Sequence, residues 1–304
     1  RLPDPEGLAD EVVMARTHRT GYDHAIRGAG ARIVDVGTND RFLGSGAASV
    51  EPWEVADAIG PDTAAVGYVQ TPETEPPLED VVAVASEHDV PVIVDAAAEL
   101  PPVENFSHFI DAGADLVAFS GGKAIRGPQT TGILAGRADL IESVALQHLD
   151  AHASPEIWEP PEGLIRGVPE GVPRQGIGRA LKVGKEELVG LLRAIELFVD
   201  ADHEVRRETY RERIDAIDDR LAGIAGFRTE VVGAESYAPV LRVHVDAGEI
   251  GVSARTLVKS LREENPRVFV SADYLERGEF TVVPSELGDE EASYVADRIA
   301  SYAG

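Results

Sequence analysis

The chain has 304 residues, 43% of them hydrophobic, no cysteine, and 54 acidic against 28 basic side chains for a net charge of −26. That length suits one large domain with a smaller partner, and the missing cysteines exclude disulfides, thiolate nucleophiles and cysteine-based zinc sites. Acid spread along the whole sequence disfavours nucleic acid, whose phosphates need a basic footprint, and reads instead as adaptation to a salt-rich cytosol. From about residue 8 to 140, helical patterns alternate with short apolar strands, as in βαβ units around a mostly parallel sheet. Strands are expected at 31–36, 64–69, 91–94 (closed by Asp95), 116–119 and 132–135, with helices over 78–88 and 106–112. These strands are apolar throughout rather than alternating, as expected where helices cover both faces. Between 151 and 178 the pattern collapses around Pro155, Pro160, Pro161, Pro169 and Pro173, which predicts a flap or a linker. Leu188, Leu191, Leu192, Ile195 and Val199 then fall on one helical face, and Tyr210, Ile214, Ile217, Leu221 and Ile224 on another. The two helices straddle 200–203, which sets a boundary between a large domain, 1–200, and a small C-terminal α/β domain, 201–304. Strands at 227–232, 239–245, 268–272 and 280–283, a helix over 254–264 and a last helix capped by Asp289 fill the smaller one.

No apolar stretch is long enough to span a bilayer, so a cytoplasmic location with no membrane partner is expected. The opening Arg1-Leu2-Pro3-Asp4-Pro5 reads as the middle of a longer protein.

Only four of the 28 basic side chains are lysines, and Lys123 is the only lysine in the first 181 residues. It stands in Ser120-Gly121-Gly122-Lys123, just behind the apolar run 116–119. Arginine stays protonated and cannot form a Schiff base, whereas a desolvated lysine can lose its proton and attack a carbonyl. The placement therefore points to an aldehyde cofactor, pyridoxal 5'-phosphate. One strand–helix–strand crossover separates Asp95 from Lys123, so neighbouring strands can present both at their carboxyl ends, where doubly wound sheets bind ligands. Such an enzyme needs this pair, a lysine for the aldehyde and a carboxylate beside the pyridine nitrogen. Taken singly, Asp95 could cap a helix opened by Ala96-Ala97-Ala98, and Lys123 could be a surface lysine. Ser120 offers a hydroxyl to a phosphate oxygen, with two glycines allowing close approach. Ala97 offers a small face to a ring. A turn serine and a helix alanine are the alternatives.

Arg174 and Arg179 flank the end of the flap and could hold an anionic substrate bidentately, or simply pair with surface carboxylates. Arg19, Tyr22 and Asp23 beside His18 could read polar groups of a substrate, or lie on an amphipathic helix. His148 and His152 have a metal-ligand spacing but no third ligand, and read as a solvated helix face. No metal is expected. Gly28 and Gly30 precede a strand, and Gly44 and Gly46 follow none, so neither pair suits a dinucleotide loop.

The blocks IVDAAAELPP (93–102) and GADLVAFSGGKAIRGPQ (113–129) resemble the selenocysteine-synthase-like family of fold-type I pyridoxal phosphate enzymes. GIGRALKVGKEE (176–187) and GARIVDVGTN (30–39) are similar to further blocks of that family, and the likeness covers roughly residues 2–200. The resemblance implies a Schiff-base lysine at Lys123, a pyridinium partner at Asp95, a phosphate contact near Ser120 and a homo-oligomer with active sites near subunit boundaries. It also implies an N-terminal segment, ahead of Arg1, whose turn at a helix N-terminus cradles the cofactor phosphate. The family includes seryl-tRNA(Sec) selenium transferases and enzymes that resemble D-glucosaminate-6-phosphate ammonia-lyase, and the Gly-Gly-Lys form looks more like the lyases. The expected activity is α-proton abstraction and β-elimination with deamination of an amino acid or amino sugar acid. A selenium transferase is the alternative, disfavoured because the acidic surface suits tRNA poorly. An alternative of another class is a non-catalytic descendant that keeps the fold as a binding subunit.

Overall fold

Short runs of valine, isoleucine and alanine, stiff at Cβ and suited to a pleated surface, build the larger of two main sheets. In the computed structural model, which describes residues 2–39, 48–148, 154, 156–159, 163 and 176–303, the first strands are β1 (Glu11–Ala15) and β2 (Arg32–Val36). A two-residue pair, β3 (Thr38–Asn39) with β4 (Ala48–Ser49), separates them from β5 (Thr63–Val69), β6 (Val92–Asp95), β7 (Leu116–Ser120) and β8 (Gly132–Gly136). The sheet order is β2-β1-β5-β6-β7-β8. All pairs are parallel except β8, which returns antiparallel to β7. Strand β1 was not among the expected strands. Its apolar run, Val12 to Ala15, is too short for periodicity to tell a strand from a buried helical turn, yet it sits between β2 and β5.

The crossovers carry α1 (His24–Gly28), α2 (Pro52–Ala58), α3 (Leu78–Glu87) and α4 (Asn105–Asp111), followed after β8 by α5 (Ala138–His148) and α6 (Lys185–Val199). Helix α2 opens with Pro52, whose missing N–H costs nothing in a first turn, and Glu54 accepts from the Glu51 backbone at 2.8 Å. Register sorts the strand residues onto two faces. Val13, Val66, Tyr68, Val92, Val94, Val117 and Phe119 join Val81 and Ala85 of α3 and Phe109 of α4 in one core. The other face carries Ile93, Asp95, Ala118, Ser120 and Leu134, and there Ile93 and Leu134 are each 38% exposed. On α6, Leu191 and Phe198 reach the core and Ile195 packs at its edge, while Leu188, Leu192 and Val199 are exposed. The expected stripe of α6 is therefore half solvent-facing.

The chain divides into two compact units, Arg1–Ala201 and Asp202–Gly304. In the second, Asp202 caps α7 (His203–Leu221) by accepting from Glu204 and Val205 N–H at 3.1 Å. Then come β9 (Phe227–Val232), β10 (Val240–Val245), α8 (Ala247–Ile250), α9 (Ala254–Glu263), β11 (Glu279–Val282) and α10 (Asp289–Ala300). The strands form an antiparallel sheet in the order β11-β10-β9. Leu241, Val243 and Val245 alternate inward along β10 against Leu257, Val258 and Leu261 of α9 and Val295 and Ile299 of α10. The expected strand 268–272 is only an isolated bridge, Ser271 to Thr281, because Val268 and Val270 turn inward with no neighbouring ladder to extend. The last helix is capped at Gly288, whose N–H donates to Glu291 at 2.7 Å. Asp289 is its first helical residue, where its charge complements the helix dipole.

Candidate active site

Asp95 is the last residue of β6, and in the parallel register it pairs with Ala118 of β7. Ser120 ends β7, and Lys123 follows after Gly121 and Gly122. The carboxylate and the amine thus leave the carboxyl ends of two adjacent parallel strands. Asp95 is half-buried, and the Ala97 N–H donates to its Oδ1 at 3.0 Å. Residues 97–98 form a turn and α4 begins only at Asn105, so Asp95 is not a helix cap. It braces its own turn with one oxygen and makes no other side-chain hydrogen bond among the described residues. Ala97 contributes its backbone to that brace.

The two glycines before Lys123 have a reason inside the protein. A Cβ on Gly121 would collide with Thr131 Oγ1, and one on Gly122 would lie 2.8 Å from Gln129 Cα. The 127–131 loop is pinned there by Gly121 N–H to the Thr131 carbonyl (2.9 Å), Gly127 N–H to the Gly121 carbonyl (2.8 Å) and Gln129 Nε2 to the Gly122 carbonyl (3.0 Å). Close approach by the protein's own loop, rather than by a ligand, accounts for glycine at both positions. Ser120 is half-buried. Lys123 is exposed and makes no ion pair among the described residues. The desolvated amine expected from its place behind a buried strand is therefore not what the fold provides by itself.

Glu99, four residues beyond Asp95, is a member of the cluster that the sequence reading missed. Burial pushes its carboxyl above the ordinary range, Glu73 and Asp95 add to that, and Lys123 opposes them. Its carbonyl accepts from Asn105 Nδ2 at 2.6 Å. The block 93–102 contained it, but nothing in the spacing set it apart from a surface glutamate.

Beyond β1, His18 is 5% exposed. Its Nε2 lies 3.1 Å from the Glu75 carbonyl oxygen, and its ring meets Tyr68 edge-on with centroids 4.7 Å apart. Burial holds its pKa below the usual imidazole value, the Glu75 carbonyl opposing. Its neighbours Arg19, Tyr22 and Asp23 are not a reading head for substrate. Arg19 is committed to Asp23 and Asp35, the Thr20 backbone donates to Asp23 at 3.1 Å, and Tyr22 is 76% exposed.

Arg179 sits half-buried in the short turn Ile177–Leu181 against α5. Arg174, His152, Gly44 and Gly46 lie outside the described residues, as does most of the expected flap. His148 ends α5 on its exposed side, and no metal-binding cluster occurs among the described residues. A cavity of about 390 Å³ lies wholly in the second unit, lined by residues such as Arg228, His244 and Arg277, and includes none of the expected site residues.

The donor set fits pyridoxal phosphate. An amine without a carboxylate partner can hold an aldehyde, Asp95 keeps one oxygen for a ring nitrogen, and the half-buried Ser120 hydroxyl can donate to a phosphate. Thr17 Oγ1 and His18 Nδ1, buried and without partners at the same edge of the sheet, are further polar atoms that a ligand there would satisfy.

The L-seryl-tRNA selenium transferase (SelA) family matches residues 23–152. The chain is 29% identical over 312 residues to D-glucosaminate-6-phosphate ammonia lyase of Salmonella typhimurium, covering 99% of this chain and 73% of that protein. It is 31% identical over 312 residues to 5'-C-glycyluridine monooxygenase-decarboxylase of a Streptomyces species, covering 98% and 68%. The solved structure of D-glucosaminate-6-phosphate ammonia-lyase matches with a TM-score of 0.74 at 30% identity, over 99% of this chain and 73% of that one. A C-DES structure with glycine covalently linked to its PLP cofactor shares the fold at a TM-score of 0.52 and 19% identity, over 96% and 74%.

Proposed function

We propose that this chain, which belongs to the selenocysteine-synthase-like family of fold-type I pyridoxal phosphate enzymes, works as a lyase on an amino acid or amino sugar acid with a β-leaving group. It is a pyridoxal phosphate enzyme. The observation that carries the catalytic reading is the pair Asp95 and Lys123 at the carboxyl ends of neighbouring parallel strands. Lys123 holds the cofactor aldehyde, Asp95 faces the pyridine nitrogen, and Ser120 donates to the phosphate. When bound, the cofactor supplies an electron sink for the pair left at the substrate's α-carbon. Asp95 keeps a proton on the ring nitrogen by placing a negative charge beside it. Lys123 Nζ, displaced by the substrate's own amine, takes the α-proton and later returns it to the departing β-oxygen. Loss of water and hydrolysis of the nitrogen then give a keto acid and ammonia.

A second reading, an L-seryl-tRNA(Sec) selenium transferase-like activity, is favoured by the family match over 23–152. The net charge of −26 weighs against a tRNA-borne substrate. We also place the protein in the cytoplasm, among the described residues no helix being long and apolar enough to cross a membrane. A homo-oligomer is the assembly we favour, supported by the exposed Leu188, Val189, Leu192 and Leu197 of α6.

Two assays test the reading. The holoenzyme should show a visible absorbance band that Lys123→Ala lacks. It should release ammonia and a keto acid from D-glucosaminate 6-phosphate or a β-hydroxy amino acid. Turnover of seryl-tRNA(Sec) with a selenium donor, and of none of the small molecules, would transfer the assignment to the second reading.

A further inference from the structure

Thr17 and His18 follow β1 directly, and each holds a buried polar atom with no hydrogen-bond partner, Thr17 Oγ1 and His18 Nδ1. Such atoms are rare in folded proteins. Two on consecutive residues at a ligand-binding sheet edge call for a ligand. The state of His18 is fixed by its surroundings. The Glu75 carbonyl, 3.1 Å from Nε2, can only accept, so the proton sits on Nε2 and Nδ1 presents a bare lone pair. The ring cannot easily turn that lone pair to water. It is packed edge-on against Tyr68, whose hydroxyl donates to the Pro76 carbonyl at 3.0 Å, so residues 75–76 hold both rings.

The distance along the sheet says which part of a ligand arrives there. Only β5 separates β1 from β6, and at about 4.8 Å per strand His18 stands ~10 Å from the strand that carries Asp95. The amine and carboxylate of a small amino acid reacting at Lys123 end short of that point. Hydroxyls further along a sugar-acid chain reach it.

We propose that Thr17 and His18 form a subsite for substrate hydroxyls, one hydroxyl donating to His18 Nδ1 and its neighbour pairing with Thr17 Oγ1, which makes the substrate class a polyhydroxylated amino acid. The position of the reacting amine rests on the lyase reading above. The lone pair and its need for a donor do not.

The test titrates the holoenzyme's visible band with D-glucosaminate and with D-alanine, which offers the same amine and carboxylate but no hydroxyl. Wild type should prefer D-glucosaminate. His18→Phe, which keeps a ring against Tyr68 without the lone pair, should shrink that preference by about tenfold, the effect of one lost hydrogen bond. His18→Asn, with an acceptor near the Nδ1 position, should restore most of it, and Thr17→Val should lower it by a smaller factor. An unchanged preference in His18→Phe, or equal weakening for both compounds, overturns the subsite. A wild type without a visible band counts against the lyase reading alone. In that case ring ¹⁵N shifts of His18 decide the subsite, with Nδ1 moving on addition of D-glucosaminate if it holds and standing still if it is wrong.

Discussion

In the second unit the inward positions of β10, α9 and α10 are all buried, and the exposed large hydrophobics among the described residues are only Val205, Phe269, Tyr274 and Val283. The first unit leaves Ile93 and Leu134 open on the sheet face that bears Asp95, and Leu188, Val189, Leu192, Leu197 and Val199 open along α6. Polar groups divide the other way. The second unit pairs its charges on the surface, as Arg298 does with Glu264 at 2.7 and 2.8 Å, whereas the first keeps buried Thr17 and His18 atoms unpaired at its strand ends. A finished core beside an unfinished surface locates the chemistry. Apolar area and polar atoms left without partners belong to the unit that receives something.

The largest effect should come from the chemistry and leave the fold alone. Lys123→Ala should cut ammonia release by roughly a thousandfold or more while the melting curve stays in place, since the side chain is exposed. A large fall in melting temperature would mean that Lys123 is structural. Next, Leu257→Ala in the second unit should cost ~2–5 kcal/mol by leaving a cavity in a sealed core. Ile93→Ala on the open face should cost less than about 1 kcal/mol, half of its burial being absent to begin with. Equal costs by denaturant unfolding would break the contrast between the two units. Asp95→Asn should lower turnover by about a hundredfold, through loss of the charge beside the ring nitrogen, with the Ala97 brace kept by the amide oxygen.

The smallest effect is a separation in pH. His18 sits below its ordinary pKa because it is buried. The unfolded chain therefore takes up a proton near pH ~6.5 before the folded one does, and stability falls as pH drops from there toward the depressed value. Glu264 runs the opposite way. The Arg298 hydrogen bond holds its carboxyl low, burial opposing, with Tyr302 adding to the same side, so its contribution persists down to about pH 4.3 and fades below that. Unfolding followed by probes in each unit should show the first losing stability at the higher pH, and His18→Asn should remove that step.

Much of this was legible in the residues, for reasons that differ by region. The strand ends at Asp95 and Ser120 followed from unbroken apolar runs closed by a polar residue, a pattern that parallel sheets impose. The choice of face on α6 was not legible, because Leu188, Leu192 and Val199 form as regular a stripe as Leu191 with Phe198, and only the neighbours decide which is covered. The run at 268–272 looked like a strand from its valines, but a strand needs a partner ladder, which composition cannot supply. The turn after Asp95 was read as a possible helix from three alanines, whose propensity the Asp95 brace overrides. His18 was noticed only as a neighbour of Arg19. Its significance lies in a missing partner, which no sequence pattern records.

The central claim is that one amine of four holds the cofactor. Reduction of the holoenzyme with borohydride, followed by digestion and mass spectrometry, reads it directly. A pyridoxyl group on the peptide containing Lys123, one per chain, is the predicted result. The same group on Lys182, Lys185 or Lys259, or on no lysine of a protein that shows the visible band, would contradict it.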